Sequence, residues 1–135
     1  MMEGRAIYEP EHEMFRRSVR RFFAEELLPN IAQWEDEGII PRKLWRKAGA
    51  AGLLCPTIPA EYGGAGADFR YLCIVDEELG YTGTMSFTIQ THTDIVAAYI
   101  EKLGTAEQKR RFLPAMARGE IIGAIAMTEP EAGKP

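Results

Sequence analysis

The sequence predicts an all-α fold, an irregular bundle of five or six helices with one terminal β-strand leading out of the domain. Two observations predict it. From Pro10 to Gly119, apolar residues recur at helical spacing between proline and glycine punctuation. Residues 121–135, reading IIGAIAMTEPEAGKP, then change to small and β-branched residues that run into a polar loop. The boundary places residues 1–120 in a helical domain and 121–135 at the start of something else. With 135 residues, 46% of them hydrophobic and 27% charged, the chain has the composition of a globular domain.

Pro10, flanked by Glu9, Glu11 and Glu13, marks a helix start, because proline tolerates the first position and carboxylates favour the positive end of the dipole. Phe15, Val19, Phe22, Phe23 and Leu27 then make one apolar stripe. Arg16, Arg17, Arg20 and Arg21 read as a solvated face. Pro29 ends or kinks this helix, and residues 30–37 supply a further turn or two, burying Ile31 and Trp34 before Gly38 closes it. Pro41 opens the next helix, where Leu44, Trp45 and Ala48 share a face and Gly52 stands at the cap. Pro56 and Pro59 exclude regular helix, and residues 61–68 form a glycine-rich loop. That loop is not a phosphate cradle: no hydrophobic strand precedes it, and neither G-x-x-x-x-G-K-[ST] nor G-x-G-x-x-G is present.

Asp68 is the expected N-cap of a helix carrying Phe69, Leu72, Cys73, Val75 and Leu79, ended by Gly80. Its Asp76, Glu77 and Glu78 are consecutive and project in different directions, so they read as a solvated face rather than an acid/base pair. The longest helix is expected over residues 84–103. Helical spacing puts Thr88, Thr91 and Ile95 on one stripe of it, which suits either the wall of a ligand cavity or a core in which threonines bond back to helix carbonyls. Gly104 followed by Thr105 and Gln108 gives a cap and a capping box. The new helix starts at Ala106, is interrupted by Pro114, and ends at Gly119.

The final strand has no partner in the sequence, and a lone strand cannot satisfy its ladder. The chain therefore reads as cut shortly after entering a β-rich region. A strand running into a loop is either a frayed end or a site, where Thr128 would offer both an N–H and a hydroxyl.

Composition excludes several classes. No run of about eighteen apolar residues exists, and the first thirty residues are too charged for a secretory signal, so no membrane span and a cytoplasmic address are expected. A net charge of −4 gives nucleic acid no electrostatic reason to bind. Cys55 and Cys73 form no C-x-x-C pair and have no histidine cluster near them, so they read as reduced core thiols with no metal. His12 sits among glutamates and His92 in a threonine-rich helix; neither has a recognisable triad around it.

Taken in order, six blocks carry a resemblance: FRRSVRRFF at 15–23, LWRKAGAAGL at 44–53, IPAEYGGAGAD at 58–68, EELG at 77–80, GTAEQKRRFLP at 104–114 and AMTEPEAG at 126–133. The chain resembles the helical N-terminal domain of the flavin-dependent acyl-CoA dehydrogenases, and the wording GAIAMTEP leans toward the long-chain members. The resemblance implies a parent about three times this long, with a middle β-domain that residues 121–135 would begin and a C-terminal helical bundle, assembled as a homotetramer. It implies FAD as cofactor, an acyl-CoA thioester as substrate, and electron-transfer flavoprotein as acceptor. The reaction implied is α,β-dehydrogenation to the trans-2-enoyl-CoA. An acyl-CoA oxidase or flavin monooxygenase of the same fold, or a free-standing helical interaction module, are the alternatives.

By the same resemblance, Ile125, Ala126, Met127 and Thr128 run beside the flavin, with the turn at Gly133 following, and Thr88, Thr91 and Ile95 line the acyl pocket. The family continues A-G-S-D where this chain reads Ala132-Gly133-Lys134-Pro135, so Lys134 occupies the position of a serine on the substrate side. The catalytic glutamate belongs to the C-terminal bundle. No residue here is expected to replace it, neither Glu77, Glu78 nor Glu129.

Overall fold

The computed structural model describes residues 7–133, and Lys134 and Pro135 lie outside them. α1 (Pro10–Phe22) buries Val19 and Phe22 and carries straight into a π-helical turn, Phe23–Leu27. Pro29 explains the widening: it has no N–H to give residue 25, and its ring crowds that carbonyl. The Leu28 amide reaches back to the Phe23 carbonyl instead, at 2.9 Å. A short α2 (Ile31–Glu37) follows, and then α3 (Arg42–Ala50), whose buried face is Leu44, Trp45 and Ala48 as the spacing predicts.

After a single 3-10 turn, Ala60–Tyr62, α4 (Phe69–Tyr81) starts on Asp68, whose Oδ1 accepts the Arg70 amide at 2.9 Å. A second π-helical stretch, Thr91–Ala97, leads into α5 (Ala98–Leu103), and α6 (Ala106–Ala117) opens on the Thr105/Gln108 capping box. Val19, Phe23 and Leu27 meet Leu44, Trp45, Leu53, Ile74, Leu79, Phe87, Leu113 and Met116 in one core. The all-α architecture stands as predicted.

Three local expectations are corrected. The predicted terminal strand does not form: among the described residues there is no strand, and residues 122–129 have no regular structure. The reason is the missing neighbour, since an unpaired strand leaves its ladder groups without partners. The long helix does not begin at residue 84. Residues 84–88 are non-helical and are held by the Thr84 and Ser86 hydroxyls, which donate to Glu35 Oε1 at 2.8 and 2.6 Å. Pro114 does not interrupt α6, which continues to Ala117 with the proline lying against Gly63, whose missing side chain makes the room.

Candidate functional site

The π-helical stretch that carries Thr91 and Ile95 meets the closing segment at Gly123. Its amide donates to His92 Nδ1 at 2.9 Å. A Cβ built on Gly123 would stand 2.9 Å from Val96 Cβ and 3.1 Å from Met116 Cε, so the segment runs flush against the π-helical stretch. Because Nδ1 accepts, the imidazole proton sits on Nε2, which donates to the Met116 carbonyl at 3.1 Å. The ring is fully buried, with its edge toward Trp45 at 5.2 Å between centroids. Burial pushes the His92 pKa below its ordinary value, against a smaller opposing pull from the Met116 carbonyl, so the neutral ring is the resting form.

Beyond Gly123 the backbone groups of residues 124–128 have no hydrogen-bond partner among the described residues. Ile125, Ala126, Met127 and Thr128 are all exposed, Met127 to 78%. They form a free polar edge that carries Ala126, Thr128 and the exposed apolar side chains of Ile125 and Met127. A turn follows, in which the Ala132 amide reaches the Glu129 carbonyl at 2.9 Å and Gly133 takes φ +85°. Lys134 is outside the described residues.

On the helical side, Thr88 is exposed and stands before the helix, Thr91 is half-buried on its first π turn, and Ile95 is 37% exposed. Neither the Thr88 nor the Thr91 hydroxyl has a hydrogen bond among the described residues. The alternative of threonines bonding back to helix carbonyls is therefore not what these two do. The buried Thr93 is different: its Oγ1 accepts the Cys55 amide at 3.3 Å.

Several charged groups depart from the sequence reading. Glu78 is buried rather than solvated; Arg20 Nε donates to it at 2.8 Å and Arg16 Nη1 at 3.1 Å. Burial raises its pKa, and the two guanidiniums outweigh that and hold it below the ordinary glutamate value. Arg16 is likewise largely covered and also meets Glu77, at 2.9 Å. Asp94, on the π-helical stretch, is pushed up to about 7 by burial and by its bond to Asp76 of α4. Asp76 is raised too, chiefly by burial. Sequence reasoning missed this carboxyl pair, whose members are far apart in the chain.

Cys55 is buried at a positive φ of 53°, and burial pushes its thiol up to about 12; Cys73, half-buried, is also raised by burial. Both are free thiols. Glu9, Glu11 and His12 bring ligand-type atoms within 4.8 Å of one another, but His12 Nδ1 already accepts the Glu9 amide at 3.2 Å. That nitrogen is engaged in closing the start of α1.

Residues 9–120 match the family described as acyl-CoA dehydrogenase, N-terminal domain. The chain is 47% identical to the pig (Sus scrofa) long-chain specific acyl-CoA dehydrogenase, mitochondrial, over 96% of this chain and 30% of that protein. Its fold is similar to that of an acyl-CoA dehydrogenase from Geobacillus kaustophilus, with a TM-score of 0.90 and 46% identity, covering 96% of this chain and 34% of the other. It is also similar to a Bacillus anthracis acyl-CoA dehydrogenase solved in complex with FAD, with a TM-score of 0.86 and 33% identity, covering 94% and 22%. The chain thus spans 30% of the length of the pig relative.

Proposed function

The chain belongs to the acyl-CoA dehydrogenase N-terminal domain family, and from that membership we propose that it is the flavin-facing helical part of an enzyme converting acyl-CoA thioesters to trans-2-enoyl-CoA. The observation that carries the reading is the free edge at 124–128, held by its Gly123 end against the helix that bears Thr91 and Ile95. FAD fits that edge on chemical grounds. A flavin ring presents a rim of hydrogen-bond donors and acceptors on a flat apolar body, and the edge offers unpaired N–H, C=O and hydroxyl groups beside the exposed apolar side chains of Ile125 and Met127.

When bound, FAD supplies the acceptor for the hydride leaving the β-carbon. The chain's own part is positioning. Ile125, Ala126, Met127 and Thr128 would hold the flavin, Thr128 through its N–H and hydroxyl, with the Gly133 turn following them. Thr88, Thr91 and Ile95 line the acyl chain, with hydroxyls and a branched apolar surface alternating along it.

Removing the α-proton needs a carboxylate beside the substrate, and no residue described here takes that role. Glu78 is held in a buried ion pair with two arginines, which removes it as a base. The base we assign to the C-terminal bundle of the parent. We further propose residues 121–135 as the start of the middle β-domain, a homotetrameric parent, a cytoplasmic address and electron-transfer flavoprotein as acceptor. Among the described residues no helix is long and apolar enough to cross a membrane.

The test uses the full-length polypeptide that contains this chain. It is expected to purify with FAD and to lose flavin absorbance when a long-chain acyl-CoA is added without an acceptor. A protein that holds no flavin and ignores every acyl-CoA overturns the reading.

A further inference from the structure

We propose that His92 is a positioning residue for the 124–128 edge, acting through its Nδ1 bond to the Gly123 amide. The inference rests on the flavin reading above for its purpose, and on geometry alone for its mechanism.

The hydrogen bonds along the closing segment run out at His92. The Glu120 and Ile121 amides both turn back to the Ala115 carbonyl, at 2.9 and 3.3 Å, and so still belong to the end of α6. Gly123 follows with its bond to His92, and from 124 to 128 no backbone group is bonded among the described residues. His92 is therefore the last polar tether between the helical body and the edge, two residues before Ile125.

The tether is stiff because the ring is held at both nitrogens. Nε2 donates to the Met116 carbonyl in the last turn of α6, and Trp45 closes the ring's edge. A ring clamped in this way transmits its own placement to what it holds, as an outer hydrogen bond fixes a histidine that grips a metal. Gly123 completes the device, since the contact distances to Val96 and Met116 leave no room for a side chain.

The consequence is relational. His92 is adjacent to Thr91 and on the same π-helical stretch as Ile95, so one side chain sets the distance between the residues proposed for the acyl chain and those proposed for the flavin. Met116 brings α6 into the same arrangement. Loss of the Nδ1 bond would leave both sets intact and lose their register.

Two variants separate the two nitrogens. His92→Asn places its amide oxygen where Nδ1 lies and keeps the acceptor for Gly123. His92→Gln places its amide NH2 where Nε2–H lies and keeps the donor to Met116 while losing the tether. The measurement is amide hydrogen exchange, by NMR, on the 15N-labelled chain of 135 residues. In His92→Gln the Gly123 amide is expected to exchange about tenfold faster relative to core amides of α6, the size of one lost hydrogen bond, while His92→Asn stays within about twofold of wild type. Unchanged Gly123 exchange in His92→Gln, or equal acceleration in both variants that tracks their global stability, overturns the proposal.

FAD titration of the same samples addresses the purpose. If the wild-type amides of residues 125–128 shift with FAD, His92→Gln is expected to need about fivefold more FAD for the same shift and His92→Asn is not; equal requirements would overturn the role toward the flavin. Should wild-type amides ignore FAD, the flavin reading of the edge and the role built on it fail together, while the exchange data still decide the tether.

Discussion

The carbonyl oxygen of Trp45 lies so close to Gly119 that a Cβ on the glycine would stand 2.2 Å from it. This contact seats the end of α6 on α3, and Gly119 also needs its φ of +69° to turn the chain toward Gly123. Gly119→Ala therefore meets both a backbone clash and a strained dihedral, for a cost of about 2–4 kcal/mol. Gly52 is the control: its φ is +75° but nothing lies within 4 Å of its virtual Cβ, so Gly52→Ala should cost only about 1 kcal/mol. Urea midpoints of the two variants check the difference. Equal losses would mean that the clash is relieved by movement of α3.

Glu78 is the buried member of its ion pair, with 2% of its side chain exposed against 12% for Arg16 and 63% for Arg20. Removing it leaves the largely covered Arg16 with Glu77, at 2.9 Å, as its close carboxylate partner, whereas Arg20 can turn to water. Glu78→Ala should destabilise the chain by about 2 kcal/mol, and Arg20→Ala by about 1 kcal/mol or less. Because α1 and α4 are the elements it joins, faster amide exchange in those two helices should accompany the loss.

These cases show where the sequence was legible. The Thr105/Gln108 box, the Asp68 cap and the Leu44, Trp45, Ala48 face were read correctly because each depends on residues within a turn or two. Glu78 was misread as solvated because its partners are 58 and 62 residues away, on α1. His92 stood out among the threonines, but its partners Met116 and Gly123 lie 24 and 31 residues on, and nothing local announces them. The π-helical stretches escaped for another reason: one extra residue in a turn leaves no mark on a hydrophobic period. At the closing segment, composition said strand, and only the absence of a neighbour decided against it.

The thiols should differ in accessibility to an alkylating reagent. Cys55 is fully buried, with its thiol pushed up to about 12, while Cys73 is half-buried on α4 with a smaller rise. Under native conditions at neutral pH, Cys73 should be labelled first and slowly, and Cys55 only at the rate of global opening. Mass spectrometry of peptides from timed samples reads both. Rapid native labelling of Cys55 would contradict the packing around residues 53–58.

Asp94 and His92 should pull the stability of the chain in opposite directions as pH changes. Burial raises the Asp94 pKa to about 7 in the folded state. An unfolded aspartate titrates near about 4. Between those values the folded chain holds the extra proton, so this contribution is full below about pH 4 and is lost as pH rises through 7. His92 is lowered by burial, so in its window the unfolded chain binds the extra proton. Its contribution is full above the unfolded value of about 6.5 and declines as pH falls toward the folded pKa. Asp94→Asn isolates the first effect. The variant should gain on wild type steadily between pH 5 and pH 8, by an amount reduced from the full linkage value because the pair is only partly buried. Urea midpoints across that range give the difference directly. A gap independent of pH would show that Asp94 keeps an ordinary aspartate pKa and shares no proton with Asp76.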